Sequence, residues 1–358
     1  MFILDAHQDI AYNALCFGRD YRNSALKTRQ LENHSSVPAQ NGHATIGLPE
    51  ALAGRVAVTI ATIFTAPDNK TTQIYPAQAI YKTAEQAYQI GIAQWDIYQR
   101  LVEADSRLRL IQTAQDLDDV LATWADDAPE DGRLIGLALS IENADPILEP
   151  RQFEEWHGRG VRLVGPAWQA SRYCGGTAMP GGLTQLGYEL LEVMARFNAV
   201  LDVSHMAEES FYQALDAYDG TSIIASHSNP RKFCDTDRHL SDEMIRKLAE
   251  RDGVIGINFA NFFLKRGWTR HDGKDAISMD WLLDVIDHVC QVTGSIRHVG
   301  IGTDFDGGFG SESIPAPFNT MADLWKLKDS LAERGFNDTD ISAILSGNMV
   351  RKLREGLA

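Results

Sequence analysis

A chain of 358 residues with a formal net charge of −16 argues against a nucleic-acid-binding surface. Its residues are 44% hydrophobic and 23% charged, ordinary globular proportions with ample material for a large core. Cys16, Cys174, Cys234 and Cys290 form no C-x-x-C pair, and no leader, membrane-length apolar run or anchor-like tail is visible, so a cytoplasmic protein without a membrane partner is expected.

The chain begins with an apolar run that ends in "DAHQD". It predicts a first strand over 2–9 and aims His7 and Asp9 to one side, because residues two apart in a strand share a face. Residues 14–50 read as a long loop. A second strand is expected over 56–64, followed at about 68–133 by an insertion with at least two helices, one within "AQAIYKTAEQAYQIGIAQWDIYQRLVEA", and the polar loop "ADDAPEDG". Further strands follow at 134–143, 161–168, 199–205, 222–228, 253–260 and 298–305. Most are continuous apolar runs, as in parallel strands covered on both faces. Helical patterns lie between them at 184–197, 241–252 and 278–294, with Thr184 and Ser241 as N-terminal signals. Eight strands alternating with helices predict a single (β/α)8 barrel of the TIM type over residues 1–358, and a doubly wound three-layer sheet is the alternative.

The unusual polar residues fall where these strands end. Glu142 lies in "SIEN" after an apolar run, His205 closes "DVSH", His227 lies in "ASHS" and Asp304 in "GTDFDG". Active sites of such barrels lie at the carboxyl ends of the strands, so these residues would meet His7 and Asp9 at one mouth. Each alone has an ordinary structural explanation: a hydrogen-bonded core histidine, a carboxylate paired with arginine, a turn aspartate beside glycines. Together they form a donor set suited to zinc or a similar divalent ion, and a bridging glutamate would hold two. Paired ions acidify a shared water and polarise a carbonyl, the chemistry of a metal-dependent hydrolase, while an adjacent aspartate would handle the protons. The chain carries neither a phosphate loop nor a dinucleotide fingerprint.

The motifs "DAHQD", "SIEN", "GVRLVG", "GLTQLGYELL", "LDVSHM", "ASHSNPR", "DRHLSDE", "GINFANFFL" and "HVGIGTDFDG" run in order along nearly the whole chain. In these the sequence resembles the renal (membrane) dipeptidase family of the amidohydrolase superfamily. The resemblance implies two Zn2+ ions and a dipeptide substrate with a free carboxylate, cleaved by a hydroxide bridging the ions. It implies that His7 and Asp9 hold one ion, His205 and His227 the other, and that Glu142 bridges them. Asp304 matches the family's proton-handling aspartate and Arg238 the arginine that grips the terminal carboxylate, with Asn258 a further substrate contact. For Arg238, an ion pair with Asp237 or Asp242 is the structural alternative. Tolerance of a D-residue at the carboxyl side and a homodimer are further family expectations.

One position departs from the family. In "VRLVGPAWQASRYCGG", Trp168 stands where well-studied members carry a histidine that contacts the substrate near the scissile carbonyl. Indole donates a hydrogen bond but accepts none and carries no charge. Arg172 and Tyr173 are the candidates to substitute, or else they order the loop. The change keeps open a related amidohydrolase acting on another amide, lactam or lactone, and beyond that a non-catalytic metal-binding barrel.

Overall fold

The computed structural model describes every residue from Met1 to Ala358. Eight parallel strands form a closed barrel: β1 (Ile3–Gln8), β2 (Val56–Phe64), β3 (Ile135–Glu142), β4 (Val161–Gly165), β5 (Val200–Asp202), β6 (Ile223–Ser228), β7 (Val254–Ile257) and β8 (Val299–Ile301). They pair in the order β2-β1-β8-β7-β6-β5-β4-β3, and β3 returns to β2 over Gly136–Glu142 to close the ring. The doubly wound alternative is thereby ruled out. All eight strands are buried throughout their length, which is why they read as apolar runs without alternation.

Among the helices that cover the barrel are α1 (Ala84–Ala104), α2 (Gln185–Arg196), α3 (Asp242–Glu250) and α4 (Met279–Thr293). Each starts on a hydroxyl cap, Thr83, Thr184, Ser241 or Ser278, whose side chain accepts a backbone N–H from the first turn. No helix is long and apolar enough to cross a membrane, and all four cysteines are free thiols.

The stretch expected to be a long loop over 14–50 is not one. It holds the helices Ala25–Glu32, Val37–Asn41 and Leu48–Ala53, and the end of the helix Ile10–Phe17. Helices of this length fall below the window in which helical periodicity shows itself. In the 68–133 region a short strand, Leu108–Leu110, adds to the start of β3, a pairing that leaves no trace in the local pattern.

The strands depart from regular pairing where the polar residues sit. Ala225 pairs with Ile255 and Ser228 with Ile257, so β6 carries one extra residue around Ser226 and His227. Asp5 pairs with Thr59 and Gln8 with Ala61, which puts a similar irregularity at Ala6 and His7 in β1. Bulges of this kind re-aim a side chain. The displaced Ser226 carbonyl is accommodated by two glycines: a Cβ on Gly256 would lie 1.9 Å from that oxygen, and one on Gly302 1.8 Å.

Gly256→Ala therefore has to push backbone aside. It is expected to lose about 2 kcal/mol of stability and to lower the thermal midpoint by roughly 3 °C. An unchanged midpoint by calorimetry would show that β6 relaxes freely and that the bulge is not held.

Candidate metal centre

His7, Glu142, His205 and His227 meet at the carboxyl end of the barrel, all buried. Glu142, the last residue of β3, is the hub. His205 Nε2 and His227 Nε2 lie 3.1 and 3.4 Å from its Oε1, and His7 Nε2 lies 3.4 Å from its Oε2. His7 Nε2 also faces Asp9 Oδ2 at 3.6 Å and Asp304 Oδ1 at 3.9 Å. The two imidazole nitrogens of His205 and His227 are 3.0 Å apart, and the rings of His7 and His227 stack with centroids at 3.6 Å. Donor atoms of His7, Glu142 and His227 lie within 4.8 Å of one another, as do those of His7, Asp9 and Asp304.

Several of these residues leave regular strand geometry to reach the hub. His205 and Asp304 both adopt left-handed backbone, with φ of 66° and 60°. Non-glycine residues held there are strained, and such strain persists only where the surroundings enforce it. Asp202 at the end of β5 supplies part of that enforcement. Its carboxylate accepts the backbone N–H groups of Ser204 and Ser226 at 3.0 and 2.9 Å and the Ser226 hydroxyl at 2.5 Å. Asp5 does the same between β1 and the segment after β8, accepting from the Thr303 N–H at 2.8 Å and the Thr303 hydroxyl at 2.6 Å.

The donor set fits divalent cations. Because the Ser226 hydroxyl donates to Asp202, its oxygen accepts from His227 Nδ1 at 2.7 Å, which leaves the Nε2 lone pair facing the hub. His205 Nδ1 meets the Thr177 hydroxyl at 3.1 Å, and Asp9 Oδ1 accepts from the Thr62 hydroxyl at 2.6 Å. His7 has no hydrogen-bond partner on either ring nitrogen although both are buried. Buried polar atoms are normally satisfied, so an orphaned imidazole beside three carboxylates marks a place for a cation.

The electrostatics of these side chains agree. Burial works against the Glu142 anion, but His7 and the hydrogen-bonding imidazoles outweigh it and hold its pKa well below the usual carboxylate range. Burial likewise disfavours a charged His7, yet Glu142 and Asp9 outweigh it and hold the imidazole well above its usual value. Burial, reinforced by Arg238, lowers His205 to about 4. Burial also lifts Asp304 to about 8, opposed by His7 and reinforced by Asp9 and Glu142.

A cavity of about 190 Å³ opens over the cluster. Asp9, Glu142, His205, His227, Asp304, Arg238 and Trp168 all line it. Arg238 is buried, donating to the His227 carbonyl at 2.6 Å and the Ser228 hydroxyl at 3.1 Å, while its Nε has no partner. The alternative of a surface ion pair fails: Asp242 takes the His288 ring at 2.8 Å, and Asp237 accepts from the Ala178 N–H.

Three sequence-based candidates lie outside the cavity lining. Arg172 turns away to the 145–148 loop, bonding to Asp145 and to the carbonyls of Ile147 and Leu148. Tyr173 is buried and donates to the Ile147 carbonyl. Nearness to Trp168 in sequence did not carry them into the site because the chain doubles back onto that loop. Asn258 is also fully buried; its amide donates to Asp304 Oδ2 at 2.8 Å and its oxygen accepts from the Ala260 N–H, so it orients Asp304. Tyr12, Phe64, Tyr75, Phe262 and Phe263 line the cavity without having been singled out in the sequence, where they look like any core aromatics.

An eight-stranded parallel barrel with a carboxylate–imidazole cluster at its carboxyl end defines a metal-dependent hydrolase. A family model described as membrane dipeptidase (Peptidase family M19) matches residues 1–356, and the chain belongs to that family. A protein of Klebsiella pneumoniae, described only as uncharacterized and lying in the pqqA 5′ region, is 29% identical over 267 residues, covering 72% of this chain and 92% of that one. An uncharacterized dipeptidase of Schizosaccharomyces pombe is 28% identical over 223 residues, 61% of this chain but only 52% of that longer protein. Among solved structures, a metallo peptidase from Rhodobacter sphaeroides liganded with a phosphinate mimic of the dipeptide L-Ala-D-Ala superposes with a TM-score of 0.78 at 22% identity, covering 99% of each chain. That likeness speaks for the fold.

With Glu142 facing both sides of the cluster, Glu142→Gln is expected to reduce total bound cation, measured by elemental analysis after dialysis. Full retention of the wild-type content would remove Glu142 from the ligand set.

Proposed function

We propose that the chain is a zinc-dependent dipeptidase acting on dipeptides with a free carboxylate, and that His7, Asp9, Glu142, His205 and His227 hold two ions. The observation that carries this reading is the position of Arg238: a buried guanidinium with an unpartnered N–H, lining the same cavity as the donor cluster. A buried cation without a bonded carboxylate is costly, and a substrate carboxylate gripped by two hydrogen bonds relieves it. Imidazole and carboxylate donors together suit zinc.

Bound divalent cations would acidify water and polarise the scissile carbonyl at this centre. The residues of the chain do the rest. Arg238 orients the substrate by its terminal carboxylate. Burial raises Asp304 above the ordinary carboxylate range and cations at the cluster would oppose that rise, so its carboxylate can both take up and release a proton. Asn258 holds Asp304 Oδ2, so Oδ1 is left facing the cluster, placed to take a proton from water and return it to the leaving amine. Acceptance of an L-Xaa–D-Xaa substrate is part of the proposal, motivated by the ligand of the Rhodobacter structure. The reading treats residues 1–358 as a single domain decorated by 68–133, since β1 and the segment after β8 meet in one site. It places the protein in the cytoplasm, which the four free thiols support.

Trp168 favours a second reading. Its indole lines the cavity where the family histidine is expected, and a changed pocket would suit a lactam or lactone. Hydrolysis of an L-Xaa–L-Xaa and L-Xaa–D-Xaa library by the zinc-loaded protein separates the two. The dipeptidase reading expects cleavage, reduced about 10²–10⁴-fold in Asp304→Asn with cation content kept. Cleavage of lactams or lactones alone would establish the second reading. Arg238→Met is expected to raise KM about 10–100-fold for free dipeptides and little for their amides, since a charge-assisted contact is lost. Equal effects on both would contradict the assignment.

A further inference from the structure

Around the ring of strands, β2 and β6 stand opposite: four steps separate them in either direction. Arg238 follows β6, and Phe64 closes β2. The carboxylate grip and Phe64 therefore face each other across the mouth, with Glu142 and the imidazoles between them.

Phe64 is part of a wall of four aromatic rings. Tyr12 meets it edge-to-face with centroids at 5.3 Å, Trp168 does so at 5.1 Å, and Tyr75 stands at 5.3 Å from Trp168 with the planes 89° apart. All four rings line the cavity. Arg238, by contrast, lies over Phe263, its guanidinium 5.4 Å from that ring.

The wall is held rigidly. Gln94 from α1 accepts the Phe64 N–H at 3.0 Å and donates to the Phe64 carbonyl at 2.5 Å, fixing the end of β2 from behind. Gln169, next to Trp168, accepts from Asn69 at 2.7 Å and donates to the Thr71 hydroxyl at 2.8 Å. That bridge ties the Trp168 loop to the loop carrying Tyr75. Preorganised aromatic surface gains binding energy without an ordering cost, and it penalises a charged side chain that must leave water to reach it.

A dipeptide gripped at its carboxylate by Arg238, with its scissile carbonyl over the donor cluster, has to extend its amino-terminal residue to the far side. We infer that Tyr12, Phe64, Tyr75 and Trp168 seat the side chain of that amino-terminal residue, and that the preferred substrates are dipeptides beginning with an apolar or aromatic residue. Trp168 is the specificity-determining member, joining the rings of Phe64 and Tyr75. This inference rests on the dipeptidase reading and names its substrate class.

The test compares Phe-Ala, Leu-Ala, Lys-Ala, Gly-Ala and the reversed Ala-Phe. Binding is measured by calorimetry on zinc-loaded Asp304→Asn protein, and kcat/KM on the wild type. Phe-Ala and Leu-Ala are expected to exceed Gly-Ala and Lys-Ala about 10-fold or more in both, as burial of one large apolar side chain requires. Adding Trp168→Ala is expected to weaken Phe-Ala about 10-fold more than Gly-Ala, with Trp168→Leu, which keeps an apolar surface, between the two. Cleavage of all five with no apolar preference, or a Trp168→Ala loss equal for Phe-Ala and Gly-Ala, would overturn the inference and leave the dipeptidase reading standing. A Trp168→Ala loss confined to Ala-Phe would place the wall at the carboxyl-side residue instead and overturn it equally. Neither binding nor cleavage of any dipeptide would overturn both.

Discussion

The carboxylate of Glu142, buried at the end of β3 with three imidazoles around it, is the constraint on which the rest of the mouth is built. An anion taken out of water loses several kcal/mol of solvation unless positive charge is brought to it. Among the residues of the chain that role falls to His7, whose raised pKa and the lowered pKa of Glu142 are two sides of one interaction. Yet His205 and His227 are pushed the other way and offer lone pairs. Their Nε2 lone pairs converge, 3.0 Å apart and both against Glu142 Oε1, a clash that one proton on His7 does not relieve. Cations resolve this conflict in a way that protons cannot, because each accepts several donors at once.

Holding such a cluster needs a scaffold that does not yield, and the barrel concentrates its irregularities where the donors are. The extra residues in β1 and β6 flank His7 and His227, and left-handed backbone occurs at His205 and Asp304. Each is secured from below: Asp5 ties β1 to the segment after β8, Asp202 ties β5 to the bulge of β6, and Gly256 and Gly302 leave room for the displaced carbonyl. Strain at the ligands is thus carried by buried hydrogen bonds one layer beneath them.

Much of this was legible in the sequence. Eight apolar runs marked the strands, because a parallel barrel strand is buried on both faces and needs no alternation. Polar residues breaking such runs at their carboxyl ends pointed to the mouth, and the structure gathers His7, Asp9, Glu142, His205, His227 and Asp304 there. What escaped depends on contacts between distant segments. Gln94 reads as one more glutamine on an amphipathic helix, and only the fold shows it clamping Phe64 from thirty residues away. Arg172 looked like a substrate residue because it follows Trp168, and the 145–148 loop claims it instead. The helices of residues 25–53 were too short to declare a period. The aromatic wall is drawn from after β1, the end of β2, a loop of the 68–133 region and the end of β4, so no local pattern announces it.

The proposed chemistry requires two cations sharing Glu142. Anomalous diffraction from crystals of the zinc-loaded protein, collected on both sides of the zinc absorption edge, tests that most directly. Two peaks, one on each side of the Glu142 carboxylate and within bonding distance of His7 with Asp9 and of His205 with His227, are the predicted result. A single peak, or peaks away from Glu142, would contradict it.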